Sequence, residues 1–235
     1  MKQYASTLNT LRNPFWNHLY LHYKSLFRDI RNAVNGYGRG DVLDMGCGNK
    51  PYEHLFTKHT SYTGCDVVQS SDNRVDVVCP ATAMDFEDNR FDTVFSTQVL
   101  EHVDDHRQAI AEVKRVLKPG GHFILSVPFT WELHMEPHDY LRFSKYGIRF
   151  LQQHYGFEEV ELVACGGKWA TIGQLRLSMM LTAFRKYPGI RTINKLIIHY
   201  LGVKLCINLW YSLLDKIDYD EVITMGYVAV WKKPG

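Results

Sequence analysis

The stretch Asp41-Val42-Leu43-Asp44-Met45-Gly46-Cys47-Gly48-Asn49-Lys50-Pro51-Tyr52 decides the fold. Val42 and Leu43 end a short apolar strand. Gly46 and Gly48 then make a turn whose backbone can approach a ligand where a Cβ would collide. Pro51 is placed to open a helix, at a position where its missing N–H does no harm. A strand, a Gly-x-Gly turn and a helix form the nucleotide-handling corner of an open parallel sheet, where ligands sit beyond the carboxyl ends of the strands. Asp44 selects among such ligands. A pyrophosphate over the turn would face its carboxylate. Pro51 replaces the third glycine of the dinucleotide fingerprint, and no Gly-Lys-Ser/Thr phosphate loop follows. An acid at this turn suits a positively charged ligand. About 18 residues on, Tyr62-Thr-Gly-Cys-Asp-Val67 reads as a second strand ending in Asp66, whose carboxylate can accept both hydroxyls of a ribose.

Two more stretches follow in order. Phe91-Asp-Thr-Val-Phe-Ser-Thr-Gln-Val-Leu-Glu-His-Val103 reads as a strand and its turn, and Leu117-Lys-Pro-Gly-Gly-His-Phe-Ile-Leu-Ser-Val127 as a turn and a strand. Together with the glycine turn, the segment from Asp41 to Val127 resembles the class I S-adenosylmethionine-dependent methyltransferases. The resemblance implies S-adenosylmethionine as cofactor, a cation with a sulfonium and an ammonium. It also implies a Rossmann-like, seven-stranded mixed α/β sheet of order 3-2-1-4-5-7-6 with strand 7 antiparallel. Asp44, Gly46, Cys47 and Gly48 would frame the methionine part, Asp66 the ribose, and Val67 and Met84 the adenine walls. Where the family often has an acid after the third strand, this chain has Pro80, so backbone groups from Ala81 to Ala83 are expected to serve the adenine. Thr97 and Gln98 would approach the methionine end.

Alternation of strand and helix through the middle of the chain implies parallel strands with right-handed crossovers. Strands are predicted near 41–45, 61–65, 75–79, 91–96, 122–127, 158–164 and 224–231, with Asp104 capping the helix before Pro119. Residues 15–34 carry Trp16, Leu19, Tyr20, Tyr23, Leu26, Phe27, Ile30 and Val34 at helical spacing. Two helices, 170–186 and 191–215, are predicted in the stretch before the last strand, broken at Pro188-Gly189. The expected organisation is an N-terminal helical extension (1–36), a core (37–168 and 220–235) and a helical insertion (169–219). The longest charge-free run of the second inserted helix, Leu205 to Leu214, is well short of the ~18 residues a bilayer span needs. A cap over the active site, a homodimer interface and a peripheral membrane contact all remain open for 191–215.

The chain has 235 residues and 46% apolar content, enough for one decorated domain. A net charge of +2 gives no support for a nucleic-acid surface, so no nucleic-acid partner is expected. The five cysteines form no C-x-x-C pair and read as buried thiols, with Cys47, Cys65 and Cys79 near strand ends. Residues 1–12 carry no apolar secretory core, and a cytoplasmic protein, with membrane association left open, is expected.

Glu132-Leu-His-Met-Glu-Pro-His-Asp-Tyr-Leu-Arg-Phe143 is a second chemical cluster, at the edge where an acceptor should enter. His138 or His134 could take a proton from an acceptor hydroxyl, with Asp139 orienting the histidine. Arg142, Tyr140 and His102 are candidate acceptor contacts. Asp139 and Arg142 could equally form an ion pair that braces the loop. Some related methyltransferases hold a divalent ion with Glu-x-x-Glu-His. Here Gln98 replaces the first acid and leaves Glu101 and His102, so no metal is expected. The reading is methyl transfer to a small-molecule, saccharide or lipid-linked acceptor, at oxygen. Its rivals are an RNA or protein methyltransferase and a catalytically silent cofactor-binding subunit.

Overall fold

The computed structural model describes residues 14–235. Seven strands form one sheet: β1 (Gly40–Met45), β2 (His59–Asp66), β3 (Val77–Val78), β4 (Phe91–Thr97), β5 (Leu117–Pro128), β6 (Glu158–Ala164) and β7 (Gly226–Lys232). Their order is β3-β2-β1-β4-β5-β7-β6. β7 runs antiparallel to both neighbours, while the other pairs are parallel. This is the order the resemblance implied.

Side-chain alternation splits the sheet's residues between two layers. Val42, Phe95, Ile124, Val228 and Val230 face α1 (Tyr20–Tyr37), which buries Leu26, Ile30, Ala33 and Val34 against them. Leu43, Met45, Val94, Phe123 and Trp231 face the opposite way. There they meet Ile110 and Val113 of α2 (His106–Val116) and Ile148 and Leu151 of α3 (Lys145–His154).

Three local expectations are corrected. Pro51 opens no α-helix; the chain makes turns and a single 3-10 turn at Glu53–Leu55 before β2 begins at His59. Too few residues separate Pro51 from β2 for a crossover helix, and Tyr52, Leu55 and Phe56 of those turns pack on that part of the sheet. The cap of α2 is Asp105, which accepts the Gln108 N–H at 3.0 Å, while Asp104 accepts the N–H of Asp105 instead. The insertion is three helices: α4 (Lys168–Thr182), α5 (Pro188–Tyr200) and α6 (Val203–Ile217). Gly202, at φ 68, breaks the predicted 191–215 helix in two, and the halves meet at 60°.

α4 and α6 pack onto the start of α1 through Leu177, Ile207 and Tyr211 against Tyr20 and Leu21. Among the described residues, no single helix is long and apolar enough to cross a membrane. The expectation for residues 1–12 lies outside the described residues, as does most of the segment before α1.

Candidate active site

β1 delivers Asp44 to the carboxyl edge of the sheet, 3% exposed. Tyr62, in the neighbouring strand, donates its hydroxyl to Asp44 Oδ2 at 2.7 Å. Burial pushes the Asp44 carboxyl up to about 7, against the pull of the Tyr62 hydroxyl and the Lys50 ammonium. Lys50 is itself held by Asp76 at 2.5 Å. Gly46, at φ 76, has no room for a side chain: a Cβ would lie 2.4 Å from Val99 Cγ2. The N–H groups of Gly46 and Cys47 both donate to Cys65 O, at 2.8 and 3.0 Å. Asp66, at the end of β2, accepts the Gly48 N–H at 3.0 Å through Oδ2 and the Val67 N–H at 2.7 Å through Oδ1. The glycine turn and the second acid are therefore one hydrogen-bonded unit, in which a carboxylate keeps spare lone pairs for a ligand.

Farther along the edge, Val67 is 65% exposed. Ala83 donates its N–H to Pro80 O at 3.1 Å, and Met84 donates its own to Glu112 Oε2 at 2.8 Å. The Met84 side chain is buried in the core. Both amides are thus already committed. Cys47, Cys65 and Cys79 are all buried thiols.

At the end of β4, Gln98 sits at φ 54, an uncommon backbone for a residue with a side chain. Its N–H donates to Ser126 O at 2.9 Å and its side-chain amide to Ser126 Oγ at 3.2 Å, which fixes it against β5. Asp44, Gly46, Cys47, Thr97 and Gln98 form one wall of a cavity of about 190 Å³. The opposite wall comes from His18 in the turn before α1, His22 on α1, and Trp131 and His134 in the loop after β5. Asp66, Val67, Ala83 and Met84 lie outside this cavity's lining.

The structure joins His134, Asp139 and Arg142, with the His134 Nδ1 3.4 Å from Asp139 Oδ2, and leaves His138 apart. His134 lines the cavity, whereas His138 is exposed, with its Nδ1 2.9 Å from the Tyr140 hydroxyl. Arg142 grips Asp139 in a two-pronged pair at 2.6 and 2.7 Å, holding that carboxyl well below the usual range. Its remaining donors go to the carbonyls of Trp131, Glu132 and Leu141. Asp139 Oδ2 also accepts the His134 N–H at 2.9 Å. The pair braces the loop that carries Trp131 and His134, and no Arg142 nitrogen is left over to meet an acceptor.

His134 joins a further group. Glu101, His102 and His134 each place one ligand atom within 4.8 Å of the others. Glu101 is 0% exposed, and both its carboxylate oxygens are without a hydrogen-bond partner. Burial pushes its carboxyl up to about 8. His102 Nδ1 lies 2.6 Å from His138 O and His134 Nδ1 lies 3.2 Å from Glu132 O. Each Nδ1–H therefore donates to a carbonyl, leaving both Nε2 atoms as bases or ligands. Three such donors could hold a divalent ion. The sequence reading counted only two, because His134 is distant in the chain.

The sequence reading also missed His22 and Trp131. The His22 ring lies 4.2 Å from that of Trp131, and burial lowers its pKa to about 4. A signal was available: His18, His22 and Leu26 follow at i, i+4 and i+8, and all three line the cavity.

The family described as "Methyltransferase domain" matches residues 43–125. A ubiquinone biosynthesis O-methyltransferase of Alkalilimnicola ehrlichii is 30% identical over 138 residues, 53% of this chain and 53% of that one. A ubiquinone/menaquinone biosynthesis C-methyltransferase of Desulfotalea psychrophila is 35% identical over 99 residues, 36% of this chain and 39% of that one. Matches of this kind span about half or less of the curated relatives' lengths. Among solved structures, the 1,6-didemethyltoxoflavin-N1-methyltransferase of Burkholderia thailandensis, with bound 1,6-didemethyltoxoflavin and S-adenosylhomocysteine, superposes with a TM-score of 0.58. That comparison covers 100% of this chain and 87% of the other at 16% identity, so it speaks to fold.

Proposed function

We propose that this chain, a class I S-adenosylmethionine-dependent methyltransferase in its fold and in the sequence of residues 43–125, transfers a methyl group to the hydroxyl of a small-molecule or lipid-linked acceptor. One observation carries the reading: a single cavity joins Asp44 and Gln98, at the cofactor edge, to His134 on the far wall.

The residues present fit the cofactor. The buried Asp44 carboxylate suits a cationic ammonium or sulfonium, the Gly46 backbone stands where a Cβ has no room, and Asp66 retains acceptor capacity for a ribose. When bound, S-adenosylmethionine supplies an electrophilic methyl group on a positively charged sulfur. The protein's own task is to place the acceptor in line with that carbon and to exclude water. His134 Nε2 would take the proton of the acceptor hydroxyl and so make its oxygen a better nucleophile. His22 and Trp131 supply an apolar, aromatic wall, which suits an acceptor with a flat or apolar body.

The quinone-biosynthesis relatives include both O- and C-methyltransferases, which supports a small or lipid-linked acceptor class; oxygen as the methylated atom rests on His134 alone. The test is to incubate the protein with labelled S-adenosylmethionine and fractionated cell extract. Label is expected in small-molecule or lipid fractions. Label confined to RNA or protein, or no label at all with intact cofactor binding, overturns the proposal.

A further inference from the structure

The inserted helices carry the chain's excess positive charge and turn apolar residues outward. Between Glu161 and Asp215 there are seven Lys or Arg and no Asp or Glu. The whole chain has 27 basic and 25 acidic residues, so the remainder is net acidic. This asymmetry is invisible in the overall charge of +2.

α6 is inverted relative to an ordinary surface helix. Its buried positions include Lys204, Asn208 and Tyr211, while Leu209, Trp210 and Leu213 point to solvent, 47%, 57% and 49% exposed. α5 does the same. Ile190, Ile193, Ile197 and Tyr200 form one exposed stripe at helical spacing, and Ile198 is the buried residue of that helix. At 13 and 15 residues the two helices are about 20 Å long, shorter than a bilayer's hydrocarbon core, and they meet at 60°. They have the form of interfacial helices.

A second cavity lies beneath α5, lined by Arg191, Lys195, His199 and Lys204, with His18 at its inner side. Lys204 is only 8% exposed, and its hydrogen-bond partner is His199 Nδ1 at 2.8 Å, an imidazole nitrogen rather than a carboxylate. Arg191 Nε is buried without a partner. Among the described residues, none of Arg191, Lys195 or Lys204 has an ion-pair partner. Lys204 is buried, Arg191 is half-buried and Lys195 is exposed; cations lining a groove without a counter-charge call for an anion. His18 lines both this groove and the active-site cavity, so the two are adjacent.

We propose that this groove binds the phosphate of an anionic phospholipid, while the outward stripes of α5 and α6 rest in the same leaflet. The insertion then seats the active-site mouth at a bilayer surface. The inference concerns binding and stands apart from methyl transfer; it deepens the lipid-linked reading by giving such an acceptor a place from which to enter.

The test is co-sedimentation of the full chain with phosphatidylcholine vesicles, with and without phosphatidylglycerol. Binding is expected only with phosphatidylglycerol. A double Arg191→Gln/Lys195→Gln variant is expected to bind about 30-fold more weakly. A Leu209→Ser/Trp210→Ser variant, in which the groove is intact, should also lose binding. Circular dichroism and S-adenosylhomocysteine affinity, unchanged in both variants, show that the fold survives. Equal binding to both vesicle types, or binding insensitive to the groove variant, overturns the phosphate assignment. No vesicle binding also overturns the proposal, whether inorganic phosphate alone fills the groove or the chain proves to be a dimer through this face.

Discussion

Tyr62 donates its hydroxyl to the buried carboxylate of Asp44 at 2.7 Å, across the parallel register of β1 and β2. The bond stabilises the charged form of an acid that burial pushes up to about 7. Because the folded value lies above the ordinary 3.8, the folded chain holds a proton that the unfolded chain releases. That contribution to stability is complete below about pH 4 and is lost as pH rises through 7. A cationic ligand needs the ionised form, so cofactor affinity runs the other way. Calorimetry with S-adenosylmethionine should find binding about tenfold weaker at pH 6 than at pH 8. Tyr62→Phe should move the midpoint higher and weaken binding further at pH 7.

Asp66 holds the Gly48 and Val67 N–H groups, so it shapes the turn as well as offering itself to a ribose. Asp66→Ala removes two charge-assisted bonds. A loss of about 2–3 kcal/mol in cofactor affinity, roughly 30- to 150-fold, is expected by equilibrium titration. An affinity within threefold of the parent would show that the acid has no part in binding.

Much of this end of the molecule was legible because its signals are local. Strand, glycine turn and terminal acid occupy contiguous residues, and β6 matches its expected bounds at Glu158 and Ala164. Cap and helix bounds failed where one residue tips the balance: Asp105 rather than Asp104, and Gly202 splitting a run whose composition reads as continuous helix. The far wall was illegible for another reason. His22, Trp131 and His134 meet only when α1 and the loop after β5 fold over the sheet edge, and no spacing within one element announces that.

The Asp139–Arg142 pair separates positioning from chemistry. Asp139 is nearly buried and holds the His134 backbone, while His138 stands outside the cavity. Arg142→Ala leaves that carboxylate unpaired and should cost about 3 kcal/mol of stability by denaturant unfolding. His134→Ala should fold normally yet lower kcat about 100-fold or more, while His138→Ala should keep near-parental kcat. Equal losses from both histidine variants would place the proton acceptor elsewhere.

Glu101 offers the last test, because its two orphaned oxygens make it costly to ionise. Its carboxyl is pushed up to about 8 from an ordinary 4.5, so its contribution to stability is present below about pH 4.5 and lost as pH rises through 8. Glu101→Gln removes this dependence. The Tm of the parent should therefore fall more steeply than that of Glu101→Gln between pH 5 and 9. A divalent ion seated by Glu101, His102 and His134 would reverse the parent's loss by giving the carboxylate a partner, since binding to the folded state alone raises Tm. Thermal unfolding with added Zn²⁺ or Mn²⁺ at pH 8 is expected to stabilise the parent and leave Glu101→Gln unmoved. Equal shifts in both proteins would mean that the ion binds elsewhere.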